Sequence, residues 1–160
     1  MIGWIGIGLT AVSALAFGSL YVGQLQSESH RIEGFLRLIR FIRGRIECFH
    51  QPLSRIYSDF SNEALNACGF LPVLRRNGFS VALAQTQDRL GLSQDMVAIL
   101  GHFSSELGKS PVSEQIRHCD RTLRELEEEY ARHLNTLPTR IKLARTLSAA
   151  AAAMAVILLL

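Results

Sequence analysis

LGKSPVSEQIRHCDRTLRELEEEY, from Leu107 to Tyr130, contains a helix stop, a helix start and the longest amphipathic run of the chain. Gly108 suits the left-handed residue that ends a helix. Ser110 offers an oxygen to cap the next helix, and Pro111 fits the first helical position because its missing amide hydrogen costs nothing there. From Val112 the apolar positions recur at Ile116, Cys119, Leu123, Leu126, Tyr130 and Leu134, in steps of four and three with a further four at the end. Such a stripe packs a helix against neighbours in the manner of a coiled coil.

Upstream, helical periods recur with short punctuation. Ile32, Phe35, Leu36, Ile39, Ile42, Ile46 and Phe49 form one stripe, with arginines on the other faces. His50-Gln51-Pro52 breaks that helix, and Pro52 opens a short one carrying Leu53, Ile56, Tyr57 and Phe60. A further helix is expected from near Ser61 or Asn62, and Pro72 and Asn77-Gly78 isolate a short apolar segment around Phe70 to Leu74. Phe79 to Leu90 predicts a helix stopped by Gly91; Ser93 then caps one whose inner side carries Met96, Ile99, Leu100, Phe103 and Leu107. No segment alternates with period two for long enough to be a strand. The expected fold is all-α, a bundle of about six helices over residues 24–140 with a hydrophobic membrane helix at each end.

The end segments follow from the placement of charge. No Lys, Arg, Asp or Glu precedes Glu28 and none follows Arg145, so the chain's net charge of +3 is confined to the middle. Residues 1–23, at 1.5 Å per helical residue, reach roughly 34 Å, about a bilayer core. Ala14-Leu15-Ala16 resembles a cleavage site, yet no positive residue precedes the apolar run, whereas Arg31, Arg37, Arg40, Arg43 and Arg45 follow it. That asymmetry favours a retained anchor with a cytoplasmic middle and an outward N-terminus. The uncharged tail from Thr146 is about 22 Å long as a helix, and spans only if Ile141, Leu143 and Ala144 extend it while Lys142 and Arg145 snorkel. A half-inserted or buried helix is the alternative for residues 141–160. Gly6, Thr10, Ala14 and Gly18 fall on one face of the first anchor, and Ser148 with Ala149 to Ala153 gives the second a similar surface on which another helix can pack.

Several chemistries are absent from the sequence. There is no Gly-rich phosphate loop, H-E-x-x-H, nucleophile elbow or EF-hand loop. The slight, interleaved positive excess does not suit nucleic acid. Cys48, Cys68 and Cys119 lack a C-x-x-C pair and are expected as small core residues, and pairing Cys48 with His50 and His118 with Cys119 for zinc matches no established ligand spacing. The expected protein is not an enzyme and carries no cofactor or metal. The rival is a small membrane-bound hydrolase or metalloprotein using His118, Cys119 and Glu125.

On the long amphipathic helix, four-residue spacing predicts pairs of Asp120 with Arg124, Arg121 with Glu125, Arg124 with Glu128 and Glu128 with Arg132. The plain reading of this face is a solvated surface; the functional one is that Glu125, Glu127, Glu128 and Glu129, with Arg124 among them, dock a basic partner surface. Gln115, His118, Thr122 and Glu125 border the apolar seam, where His118 is expected to hydrogen-bond a neighbouring helix and fix register.

The run from Leu107-Gly108 through Gln115, Arg117 and His118 to Leu126-Glu127 resembles the signature of the stage III sporulation protein AB family, in which an L-G step precedes Gln, a basic residue, His and then Leu-Glu. Gly108, Ser110, Gln115 and His118 lie in that motif. Pro52-Leu53 after Glu47 and the two apolar ends also fall where the family has them. The resemblance implies a cytoplasmic helical domain like that of type II secretion F proteins, held in the inner membrane on the mother-cell side with both termini toward the intermembrane space. It further implies a channel component between mother cell and forespore whose partners are a secretion-type ATPase, the stage III sporulation protein AA, and other membrane proteins of the channel. A membrane scaffold with no ATPase partner is the other non-enzymatic alternative. The chain departs from the family pattern at Pro111, Arg121 and Pro138, and Pro138 predicts that the long helix stops or bends near Leu137.

Overall fold

The computed structural model describes the backbone of residues 27–49 and 51–159, and the side chains of 27–49, 51–135 and Thr146. Every regular element among these residues is a helix: α1 over 27–49, α2 Leu53–Asp59, α3 Glu63–Ala67, α4 Phe70–Asn77, α5 Phe79–Leu90, α6 Gln94–Glu106 and α7 Val112–Leu159. Glu28–Arg132 make one compact unit. Among the described residues no helix is long and apolar enough to cross a membrane. Residues 1–23, with Gly6, Thr10, Ala14 and Gly18, lie outside the described residues, as do His50 and nearly all side chains of 141–160.

Two helices frame the unit. α1 buries Ile32, Phe35, Leu36, Leu38, Ile39, Ile42 and Ile46, and α7 buries Cys119, Leu123 and Leu126 in the same core cluster, with Ile116 and Tyr130 packed at its edge. The stripe on each helix ends sooner than its periodicity predicts. Phe49 is 61% exposed and Leu134 is 42% exposed, because apolar spacing continues past the point where packed neighbours stop. Phe49 instead lies under the Arg45 guanidinium, whose carbon is 5.3 Å from the ring centroid.

The α1 and α7 faces are joined by polar contacts at their margins. Tyr130 Oη donates to Glu33 Oε1 at 2.8 Å, Arg40 pairs with Glu127, and Arg43 Nε donates to Asp120 Oδ1 at 2.5 Å. The partners on α7 descend as those on α1 ascend, so the helices run antiparallel. These pairs replace the ladder expected along α7: Asp120 turns to α1, and Arg132 pairs with Glu129 three residues away at 2.7 Å. An acid at the core margin reaches the facing helix more directly than it reaches the next turn of its own.

Between α1 and α7, the short helices are fixed by caps that satisfy exposed helix-end groups. Asn62 Oδ1 accepts from Leu65 N at 3.0 Å at the start of α3, and Ser93 Oγ accepts from Met96 N at 3.3 Å at the start of α6. Arg75 on α4 donates to the Phe60 carbonyl at 2.8 Å and the Tyr57 carbonyl at 3.4 Å, closing the C-terminal end of α2. Arg31 similarly donates to the Arg89 carbonyl near the end of α5. Gly34 allows α1 to approach α3: a Cβ there would sit 2.9 Å from both Asn62 Oδ1 and Leu65 Cγ.

Pro52 and Pro111 sit one residue before the first helical position predicted for them, and Pro72 is the third residue of α4. Pro52 is the cap residue of α2 in extended conformation, and the Pro111 carbonyl accepts from Gln115 N at 3.0 Å, the first i to i−4 bond of α7. Pro138 does not end α7, which remains helical to Leu159. A helix can continue through proline by giving up one backbone hydrogen bond.

Candidate functional site

An aromatic series leads from the core to the edge of the bundle where α6 turns into α7. Phe35, Phe70 and Phe79 meet edge to face, with centroids 4.9 and 5.4 Å apart, and Phe79 meets Phe103 in the same way at 5.4 Å. The imidazole of His118 then stacks on Phe103 at 5.4 Å with 18° between the planes. α1, α4, α5, α6 and α7 each contribute one ring. Edge-to-face geometry sets the positive rim of one ring against the negative face of the next, which fixes orientation as well as burying area.

His118 is held on three sides. Its Nε2 lies 3.4 Å from the Phe103 carbonyl, its Nδ1 is 3.0 Å from Arg121 Nη2, and the ring of His102 meets it edge-on at 5.6 Å. A carbonyl requires a hydrogen on Nε2 and a guanidinium requires a lone pair on Nδ1, so the geometry selects the neutral Nε2–H tautomer. The His118 pKa is lowered, chiefly by burial and also by the charges of Arg121 and His102, against the opposing pull of the Phe103 carbonyl.

The turn beside His118 is fixed by its own backbone. Gly108 takes φ 81°, in the left-handed region, and a Cβ there would approach Leu53 Cδ1 to 3.1 Å. Leu107 N donates to the Phe103 carbonyl at 3.1 Å and Lys109 N to the Glu106 carbonyl at 3.3 Å. Ser110 participates through its backbone carbonyl, which accepts from Gln115 Nε2 at 2.6 Å, in place of the hydroxyl cap expected of it. Gln115 therefore braces its own turn, while His118 makes the contact between helices.

A cleft of about 600 Å³ opens here, lined by Glu106, Ser110, Glu114, Gln115, Arg117, His118, Asp120, Arg121 and Arg124. Three arginines project into it from one side of α7. Arg117 is 3.7 Å from Glu114, and Asp120 is taken up by Arg43. Arg121 Nη2 contacts His118 Nδ1 and lies 3.4 Å from His102 Nε2, an acceptor when that ring is neutral. Neither His102 nor Arg121 stands out as a site residue in the sequence, since only the turn between helices brings position 102 beside 118 and 121.

The acidic group divides. Glu127 is engaged by Arg40, and Glu129, with its side chain only 13% exposed, is engaged by Arg132. Glu128 is exposed and Glu125 is half-buried. Arg124 is exposed and belongs to the cleft.

Of the residues of the hydrolase alternative, His118 lines the cleft and Glu125 is half-buried outside its lining. Cys119 faces the core, and burial pushes its thiol up to about 11, away from the nucleophilic thiolate. Among the described residues no three of His, Cys, Asp and Glu gather as a metal-ligand set.

Neither the curated proteins nor the solved structures yield a match to this chain. The family model for stage III sporulation protein AB matches residues 76–160, from the end of α4 through the cleft and the whole of α7. Since that match takes in more than half of the sequence, the chain belongs to the stage III sporulation protein AB family.

Proposed function

We propose that this protein is a membrane-anchored, non-enzymatic adaptor of a sporulation channel between mother cell and forespore. In this reading its helical unit docks a secretion-type ATPase, the stage III sporulation protein AA, and passes nucleotide-dependent movement to membrane partners of the channel. The observation that carries the reading is the antiparallel pairing of α1 with α7, with Glu33 against Tyr130. The chain thus enters and leaves the unit at the same end. Anchors in the uncharged stretches before Glu28 and after Arg145 would keep the charged unit between them in the cytoplasm, with both termini across the inner membrane.

Of the acidic residues, Glu128 and Glu125 remain for a basic partner surface, while Glu127 and Glu129 have partners within the chain. The test is capture of the ATPase by the full chain in detergent at low salt. The expected result is retention by the natural sequence and loss with Glu125→Lys combined with Glu128→Lys. Failure of the natural chain to retain the ATPase rejects the docking reading.

A further inference from the structure

We infer that the α6–α7 cleft receives a carboxylate side chain from a partner protein, bound by Arg121 with Arg124 beside it. Charge is the first argument. Within the lining Arg117 pairs with Glu114, and Asp120 with Arg43 of α1, whose second partner Glu47 is not part of the cleft, so Arg121 and Arg124 face only Glu106. One positive charge is left over, the complement of a single carboxylate, whereas a phosphate dianion would overfill it.

Pre-positioning is the second argument. Arg121 has no acidic partner among the described residues; its Nη2 rests between His118 Nδ1 at 3.0 Å and His102 Nε2 at 3.4 Å. Imidazole nitrogens orient a guanidinium without cancelling its charge. His118 is itself immobilised by the Phe103 carbonyl and by stacking on the Phe103 ring. A guanidinium offers five donors in a planar fork, so nitrogens not used by the histidines remain to bind a carboxylate from the side. The cleft volume accommodates an acidic side chain with its flanking backbone. The site lies one helical turn from Glu125 and Glu128 and is opposite to them in sign, and it stands whether or not an ATPase is the partner.

The test is titration of the full chain in detergent with a capped hexaglutamate peptide, following the ring carbon-proton resonances of His118 and His102. Inorganic phosphate is titrated in parallel. The expected result is a saturable shift of both histidines with the peptide, weakened at least tenfold by Arg121→Gln, weakened to a lesser degree by Arg124→Gln, and unchanged by Arg132→Gln. Absence of a saturable shift, retention of full affinity by both Arg121→Gln and Arg124→Gln, or phosphate binding as tightly as the peptide would each overturn the assignment.

Discussion

Arg43 of α1 and Asp120 of α7 meet side-on across 77 residues of sequence, with Nε at 2.5 Å from Oδ1 and Nη2 at 3.5 Å from Oδ2. Hydrogen bonding to Asp120 holds the Arg43 pKa above its ordinary value, against the opposing effect of burial. Arg43 also reaches Glu47 one turn along its own helix at 2.6 Å. Both members of the pair remain partly open to solvent, so water and salt weaken their attraction. Asp120→Asn is expected to cost about 1 kcal/mol of unfolding free energy at low salt. Urea denaturation should register that loss, and the difference should shrink in molar salt.

Gly34 and Gly44 both lie on α1 and should respond to alanine in opposite directions. At Gly34 the added Cβ meets Asn62 Oδ1 and Leu65 Cγ at 2.9 Å, so α3 and its cap must shift; overpacking of this kind costs about 1–3 kcal/mol. At Gly44 nothing lies within 4 Å, and helix propensity alone gives about 0.5–1 kcal/mol of stabilisation. Thermal melts of the two variants beside the natural chain measure both signs.

Protonation of His118 opposes the fold. Its ordinary pKa of 6.5 applies to the unfolded chain and the folded value is lower, so the unfolded state takes up a proton first as pH falls. Stability is unaffected well above pH 6.5, declines as pH drops through that value, and levels off below the folded pKa. Arg121 and His102 disfavour the charged ring, whereas Glu106 and the Phe103 carbonyl favour it. His118→Gln is expected to flatten this region of the stability profile, measured by denaturation at successive pH values from about 7.5 down to about 5.

The three cysteines should separate by access. Cys48 is exposed, Cys68 is half-buried with its thiol donating to the Leu65 carbonyl at 3.3 Å, and Cys119 is buried. A thiol reagent at mildly alkaline pH should label Cys48 first and Cys68 more slowly. Cys119 should be labelled only on unfolding, since its thiol is both covered and pushed up to about 11. Mass spectrometry of timed digests resolves the order, and early labelling of Cys119 would mean that α7 opens locally.

Much of the fold is legible in the sequence because its punctuation is local. Asn77-Gly78 and Gly91 bracket Phe79–Leu90 without reference to any other helix, and Asn62 and Ser93 cap the helices they precede. Periodicity identifies the buried faces of α1 and α7 but not their lengths, since Phe49 and Leu134 keep the spacing after their neighbours have ended. Leu38 and Gly34 escape it because each depends on a second surface beside the main stripe of α1. The charge pairs differ from expectation for a related reason: spacing along one helix identifies candidates on that helix, and the antiparallel partner supplies nearer ones. At the site, His118 is singled out by its place beside the apolar seam. The roles of His102 and Arg121 depend on the angle at which Gly108 returns the chain.

The Glu33–Tyr130 contact also has a mechanical meaning. Because it joins the two helices at the end where the chain enters and leaves the unit, a pull that separates residues 28 and 132 loads this contact first. The helices would then come away rung by rung, from Tyr130 to Glu127 to Asp120, in the manner of peeling and not of shear. Peeling breaks contacts in sequence, so a small force acting over a long path can open the unit where the same force in shear would leave it closed.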